Sequence, residues 1–137
     1  MENVAEVAGV LYVNDSKATN AASTAPALGA YPRIHWIVGG QPKGEGLAEC
    51  SEYFGNVKMA YTIGEAGPAF AEELSPHMSV KNCEMMSTAV NQAAKNARPG
   101  DVVLLSPACA SFDQFKDFEA RGDAFKAAVN NLSGGEG

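Results

Sequence analysis

Four short apolar runs, residues 10–13, 34–38, 57–63 and 102–105, and a weaker strand signal near 80–83 alternate with segments of helical character along this chain. Runs of four to seven apolar residues bounded by polar or turn residues read as buried strands. Alternation of strands with helices specifies a mostly parallel sheet covered on both faces. The predicted class is therefore α/β, a Rossmann-like three-layer domain. No repeat or low-complexity linker divides the chain, so residues 1–137 are read as a single domain, long enough to bury one continuous core.

Between the strands the pattern is less sharp. Residues 1–9 read as a polar lead. A first helix either begins at Asn20 and bends at Pro26 or is capped late by Thr24, with Gly29 as its stop. A glycine-rich loop over residues 39–46 precedes a helix around 47–54, and a short helix is expected near 68–74. The i, i+3, i+4, i+7 spacing of Val90, Ala93, Ala94 and Ala97 predicts a one-faced helix over 87–97. Ser111-Phe112-Asp113-Gln114 fits a capping box, which predicts a helix from there to Arg121, stopped by Gly122. A last helix is expected over 124–132, and residues 133–137 are read as a flexible tail.

Several functions are disfavoured. Ten basic against sixteen acidic residues give a net charge of −6, opposite to the basic stripe that nucleic acid requires. No run reaches the roughly 20 apolar residues of a membrane span, and residues 1–6 lack the pattern of a signal peptide. Cys50, Cys83 and Cys109 show no CxxC spacing, and His35 and His77 stand apart. Reduced thiols, no metal site and a cytoplasmic location are the corresponding expectations. A monomer is the default.

Three strand ends carry unusual polar content: residues 15–20, 39–46 and 106–111. In an open parallel sheet, ligands bind outside the carboxyl ends of the strands. Helix N-termini there offer free N–H groups and partial positive charge. Lys17, Lys43, Thr19 and Ser111 would make such an edge receptive to an anion. Each also has a plain structural role available: solvated loop lysines, a helix cap at Thr19, the capping box at Ser111, a buried structural thiol at Cys109. No G-x-x-x-x-G-K-[ST] loop and no G-x-G-x-x-G motif is present, so neither the usual ATP cradle nor a dinucleotide site is encoded.

Asp15-Ser16-Lys17-Ala18-Thr19-Asn20 and residues 106–116, SPACASFDQFK, with Gly39-Gly40 and Lys43 between them, strongly resemble one family. The whole chain is similar to the C-terminal domain of the MurD family, the UDP-N-acetylmuramoyl-L-alanine:D-glutamate ligases of peptidoglycan synthesis. The resemblance implies a substrate-binding domain that closes over ATP. Lys17, Thr19 and Lys43 would handle the carboxylates of D-glutamate. Ser111 and the backbone near Phe112 and Phe118 would complete the pocket, and Asp15 would face the nucleotide ribose. No catalytic residue is assigned to this domain. In that family the partner substrate UDP-N-acetylmuramoyl-L-alanine, ATP and magnesium are held mainly by domains absent from this chain. No cofactor and no ligase activity are therefore expected of the chain alone. Two other readings compete: a stand-alone anion- or nucleotide-binding module, and an α/β hydrolase-like enzyme using Cys109 or Ser111. The last lacks an evident base and the G-x-S-x-G elbow.

Overall fold

The last strand in the sequence lies inside the sheet, and this placement organises the molecule. A computed structural model describes residues 1–42, 44 and 46–135, with residues 133–135 described by backbone only. Its strands are β1 (Glu2–Val7), β2 (Val10–Asn14), β3 (Ile34–Gly39), β4 (Val57–Ile63), β5 (Ser79–Glu84) and β6 (Val102–Leu105). They form one sheet in the order β1-β2-β6-β3-β4-β5. All neighbours are parallel except β1 and β2.

Alternation along each central strand sends side chains to opposite faces. Ile34, Trp36 and Val38 join Val102 and Leu104 on one face, beneath α1 (Ala21–Ala30), a 3₁₀ helix (Ala48–Asn56) and α2 (Gly67–Leu74). Ile37, Val103 and Leu105 face the other way, beneath α3 (Met86–Asn96) and α4 (Phe118–Gly135). The three-layer α/β prediction is met.

Several local expectations are corrected. Residues 1–9 are not a lead but an edge strand and hairpin. Ala8 and Gly9 both have positive φ, 52° and 80°, the backbone of a two-residue turn whose twist suits a hairpin. The polar face of β1 looks outward, which hid the strand among exposed residues. Helix α1 starts after Asn20, whose side chain accepts a hydrogen bond from Ser23 N at 2.8 Å. The earlier of the two proposed starts is thus the one adopted, with Pro26 inside the helix. Residues 48–56 wind as 3₁₀ rather than α; only Cys50 among them is buried, too little packing to impose a regular helix.

The capping box at Ser111 does not form. The Gln114 side chain instead donates to Glu84 O at 2.7 Å, and Ser111 opens a turn, its carbonyl accepting from Gln114 N and Phe115 N. The helix begins later, where Asp117 Oδ1 accepts from Ala120 N at 2.7 Å, as an N-cap carboxylate does. It then continues through Gly122. This glycine is a packing residue rather than a stop, since a Cβ there would lie 2.8 Å from the Asn14 side chain. The two expected helices are one, and it takes in residues 133–135 of the predicted tail; Glu136 and Gly137 lie outside the described residues.

At the amino ends of the central strands, Asp101 is 2% exposed and collects donors. His35 Nε2 lies at 3.0 Å, Arg98 N at 3.0 Å and Lys58 Nζ at 3.2 Å. Burial pushes its carboxyl up, but the bonds from Arg98, His35 and Lys58 outweigh this and hold it below the usual carboxylate range. Its contribution is therefore present above the unfolded carboxyl pKa of about 3.9, and is lost as pH falls through the lower folded value. Lys58 is half exposed and adds little, so the contribution rests on the buried His35 and backbone bonds. Asp101→Asn is expected to lower stability by about 2 kcal/mol at neutral pH. Urea unfolding of both proteins should show this gap narrowing as pH falls below the unfolded carboxyl value of about 3.9 and through the lower folded one.

Candidate functional site

The three polar strand ends follow β2, β6 and β3, which are adjacent in the sheet. They therefore open on one edge. Backbone hydrogen bonds join them beyond the strands: Asp15 N to Leu105 O at 2.7 Å, Ala108 N to Ala18 O at 3.0 Å, Gly39 N to Pro107 O at 2.9 Å and Gln41 N to Ala110 O at 2.9 Å. The chain leaves β2 and β3 toward one face and β6 toward the other. That divergence is the switch point at which open α/β sheets form a ligand crevice.

Individual side chains divide into anchors and exposed groups. Asp15 is 5% exposed, and Ser106 Oγ donates to its Oδ2 at 2.8 Å. Burial raises its carboxyl pKa, partly offset by that bond. Lys17 is exposed and Thr19 half-buried. Asn20, not Thr19, caps α1. Lys17 and Phe118 line one cavity of about 370 Å³, with Asn14, Ser16 and Lys126 among its other walls. Ser111 is buried, whereas Phe112 is 67% exposed at the neighbouring position. Lys43 lies outside the described residues. Cys109 is buried and forms no disulfide.

Two anchors had escaped the sequence reading. Ser106 is fully buried and meets three elements. Its carbonyl accepts from Trp36 Nε1 at 2.8 Å, its amide donates to Ile37 O at 3.2 Å, and its hydroxyl lies between Asp15 and Thr24. Arg121 is 1% exposed. Its Nε donates to Ser16 Oγ at 2.9 Å and its Nη2 to Ser16 O at 2.7 Å. Ser16 Oγ in turn donates to Phe118 O at 2.7 Å. An arginine beside Gly122 in a helical sequence looks like a surface residue. Only its charge, set on a helix that must pack, was available as a signal.

The glycines at the end of β3 are required by contact. Gly39 and Gly40 have φ of 131° and 146°, and a Cβ on Gly40 would stand 2.5 Å from Ala110 O and 3.0 Å from Arg121 Nη1. Among the described residues no three His, Cys, Asp or Glu side chains are grouped to hold a metal ion. No helix among the described residues is long and apolar enough to cross a membrane.

Fold and edge together define a Rossmann-like α/β domain whose three polar strand ends meet at the carboxyl end of the sheet. The chain belongs to the family described as Mur ligase, glutamate ligase domain, whose model matches residues 1–109. It is 69% identical to a UDP-N-acetylmuramoylalanine--D-glutamate ligase of Novosphingobium aromaticivorans, over 96% of this chain and 30% of that protein. It is 58% identical to the enzyme of the same name from Sphingopyxis alaskensis, over 96% of this chain and 32% of that protein. The chain thus spans about a third of the length of these relatives. The fold is also that of a domain from Haemophilus ducreyi described as part of a UDP-N-acetylmuramate:L-alanyl-gamma-D-glutamyl-medo-diaminopimelate ligase. The TM-score is 0.61 at 12% identity, covering 93% of this chain and 98% of that one.

Gly40→Ala should strain the backbone and push β3 away from Ala110, costing about 2 kcal/mol. Thermal melts would show the loss, and the amide signals of Gln41 and Ala110 should move together. A variant as stable as the wild type would mean that the loop has room to shift.

Proposed function

We propose that this chain is the D-glutamate-binding domain of an ATP-dependent ligase that joins D-glutamate to UDP-N-acetylmuramoyl-L-alanine. What carries the reading is the meeting of three polar strand ends on one edge, in a sequence 69% identical to part of a D-glutamate ligase. In the full-length protein ATP would phosphorylate the substrate carboxylate. The D-glutamate amine would then attack the acyl phosphate and expel phosphate. ATP and magnesium would be held chiefly outside this chain, and the location would be cytoplasmic, where both nucleotide substrates are found.

The task left to this domain is positioning. D-Glutamate carries two carboxylates, which call for fixed positive charge and oriented donors. Lys17, Lys43, Thr19 and Ser111 would supply them, and the exposed rings of Phe112 and Phe118 would wall the pocket. Asp15, whose Oδ2 accepts from Ser106 Oγ, would face the nucleotide ribose. Holding the amine in line with the acyl phosphate replaces a chance encounter with a fixed geometry.

Lys17→Ala in the full-length protein is expected to lower kcat/KM for D-glutamate about 100-fold, with an unchanged melting temperature. This chain alone should release no ADP from ATP when given both substrates. Unaltered kinetics in the variant, or equal use of L- and D-glutamate, would instead favour a generic anion-binding module.

A further inference from the structure

Arg121 is a buried cation without a buried carboxylate in contact. Two of its nitrogens are spent on Ser16, while Nη1 has no hydrogen-bond partner although it is buried. Asp113 Oδ1 is likewise buried and unpartnered, its Oδ2 accepting from Glu65 N at 2.9 Å. The backbone of Gly40 lies between them. A Cβ on Gly40 would touch Arg121 Nη1, and one on Gly64 would meet both Gly40 Cα and Asp113. Direct pairing would satisfy both groups, yet the glycine strand end keeps them apart. Desolvation lowers the guanidinium pKa to about 10, so it remains charged at neutral pH.

A residue that served only to cement α4 to the sheet would not need this arrangement. Apolar side chains do that work at Phe125 and Val129. Arg121 reaches past them to the turn that carries Lys17, and its free nitrogen points to the Gly40 and Cys109 seam at which the other two polar strand ends meet. Asp15 has separate anchors in Leu105 O and Ser106 Oγ. The turn at Ser16–Lys17 is pinned from within by Ser16 N donating to Asn14 Oδ1 at 3.0 Å and Ala18 N donating to Asp15 O at 2.9 Å, while Arg121 grips the Ser16 carbonyl and, opposite Phe118 O, the Ser16 hydroxyl, and so ties that turn to α4.

We infer that Arg121 is a positioning residue for the amino-acid substrate: its guanidinium sets the Ser16–Lys17 backbone against the head of α4, and so sets where the Lys17 ammonium stands. The inference rests on the D-glutamate reading and adds to it a residue that touches no substrate. Lysine at this position keeps a charge but has no planar fork to grip both Ser16 Oγ and Ser16 O. Such a displacement changes the grip on the amino acid while leaving the nucleotide's anchors intact.

The test uses the full-length protein, with KM and kcat measured separately for D-glutamate and ATP. Arg121→Lys is expected to raise the D-glutamate KM about tenfold, with the ATP KM within about twofold of wild type. Ser16→Ala keeps the carbonyl half of the grip and should raise the D-glutamate KM by a smaller factor; it decides the matter if Arg121→Lys does not fold. Lys17→Ala runs alongside as the control on the reading itself. If Lys17→Ala impairs D-glutamate use while both other variants match wild type, the inference falls and the reading stands. Equal losses for both substrates, tracking a lowered melting temperature, would make Arg121 a structural residue and overturn the inference. A Lys17→Ala protein with wild-type kinetics would remove the reading and the inference with it.

Discussion

Ser106 is the point on which the candidate site depends. It follows directly on β6, the strand inserted between β2 and β3; its backbone bonds to Trp36 and Ile37 of β3 and its side chain to Asp15, just beyond β2. A buried hydroxyl must find partners or forfeit its hydration. Here it donates to Asp15, and its carbonyl takes the indole N–H of Trp36, itself fully buried. The polar groups at the carboxyl edge are thus fixed from below by a satisfied network rather than by loop contacts alone. Network satisfaction of this kind favours one arrangement, because any half-broken alternative leaves buried polar atoms exposed to no solvent.

The two ends of the sheet have different electrostatic economies. At the amino end, Asp101 is surrounded by donors and fully engaged. At the carboxyl end, Arg121 Nη1 and Asp113 Oδ1 are left unengaged within a few residues of the exposed Lys17, Phe112 and Phe118. Buried polar groups are nearly always paired. The network is closed at the amino end and incomplete at the carboxyl end, the edge to which the proposed function assigns the ligand. The fold uses its glycines accordingly: Gly39, Gly40 and Gly64 permit close backbone approach at the open end.

How much of this was legible before the structure can be argued residue by residue. The four central strands were plain, because apolar runs between turn residues have few other uses, whereas β5, mostly exposed at the far edge, gave only a weak signal over 80–83. β1 was missed because an edge strand exposes one face and reads as polar. The helix expected at Ser111 was misplaced because a capping box is only a local preference, and the Gln114 side chain found a tertiary partner in Glu84 O. Gly122 looked like a terminator, but its missing Cβ makes room for Asn14. In each case a distant contact overrode a short-range signal. Among the candidate site residues, Lys17, Thr19 and Ser111 were singled out from residue type and position after a strand, whereas the anchoring roles of Ser106 and Arg121 were not. Nothing local distinguishes a buried arginine from a solvated one.

The sequence by itself determined the layered α/β architecture, the three polar strand ends and the family resemblance, since each rests on local composition and order. Only the tertiary structure decided that β6 lies between β2 and β3, and hence that the three ends are neighbours. It alone also placed Arg121 beneath the Lys17 turn, 105 residues from Ser16 along the chain. Strand order and long-range hydrogen bonds depend on which burial satisfies the whole chain at once, and no short window of sequence carries that information.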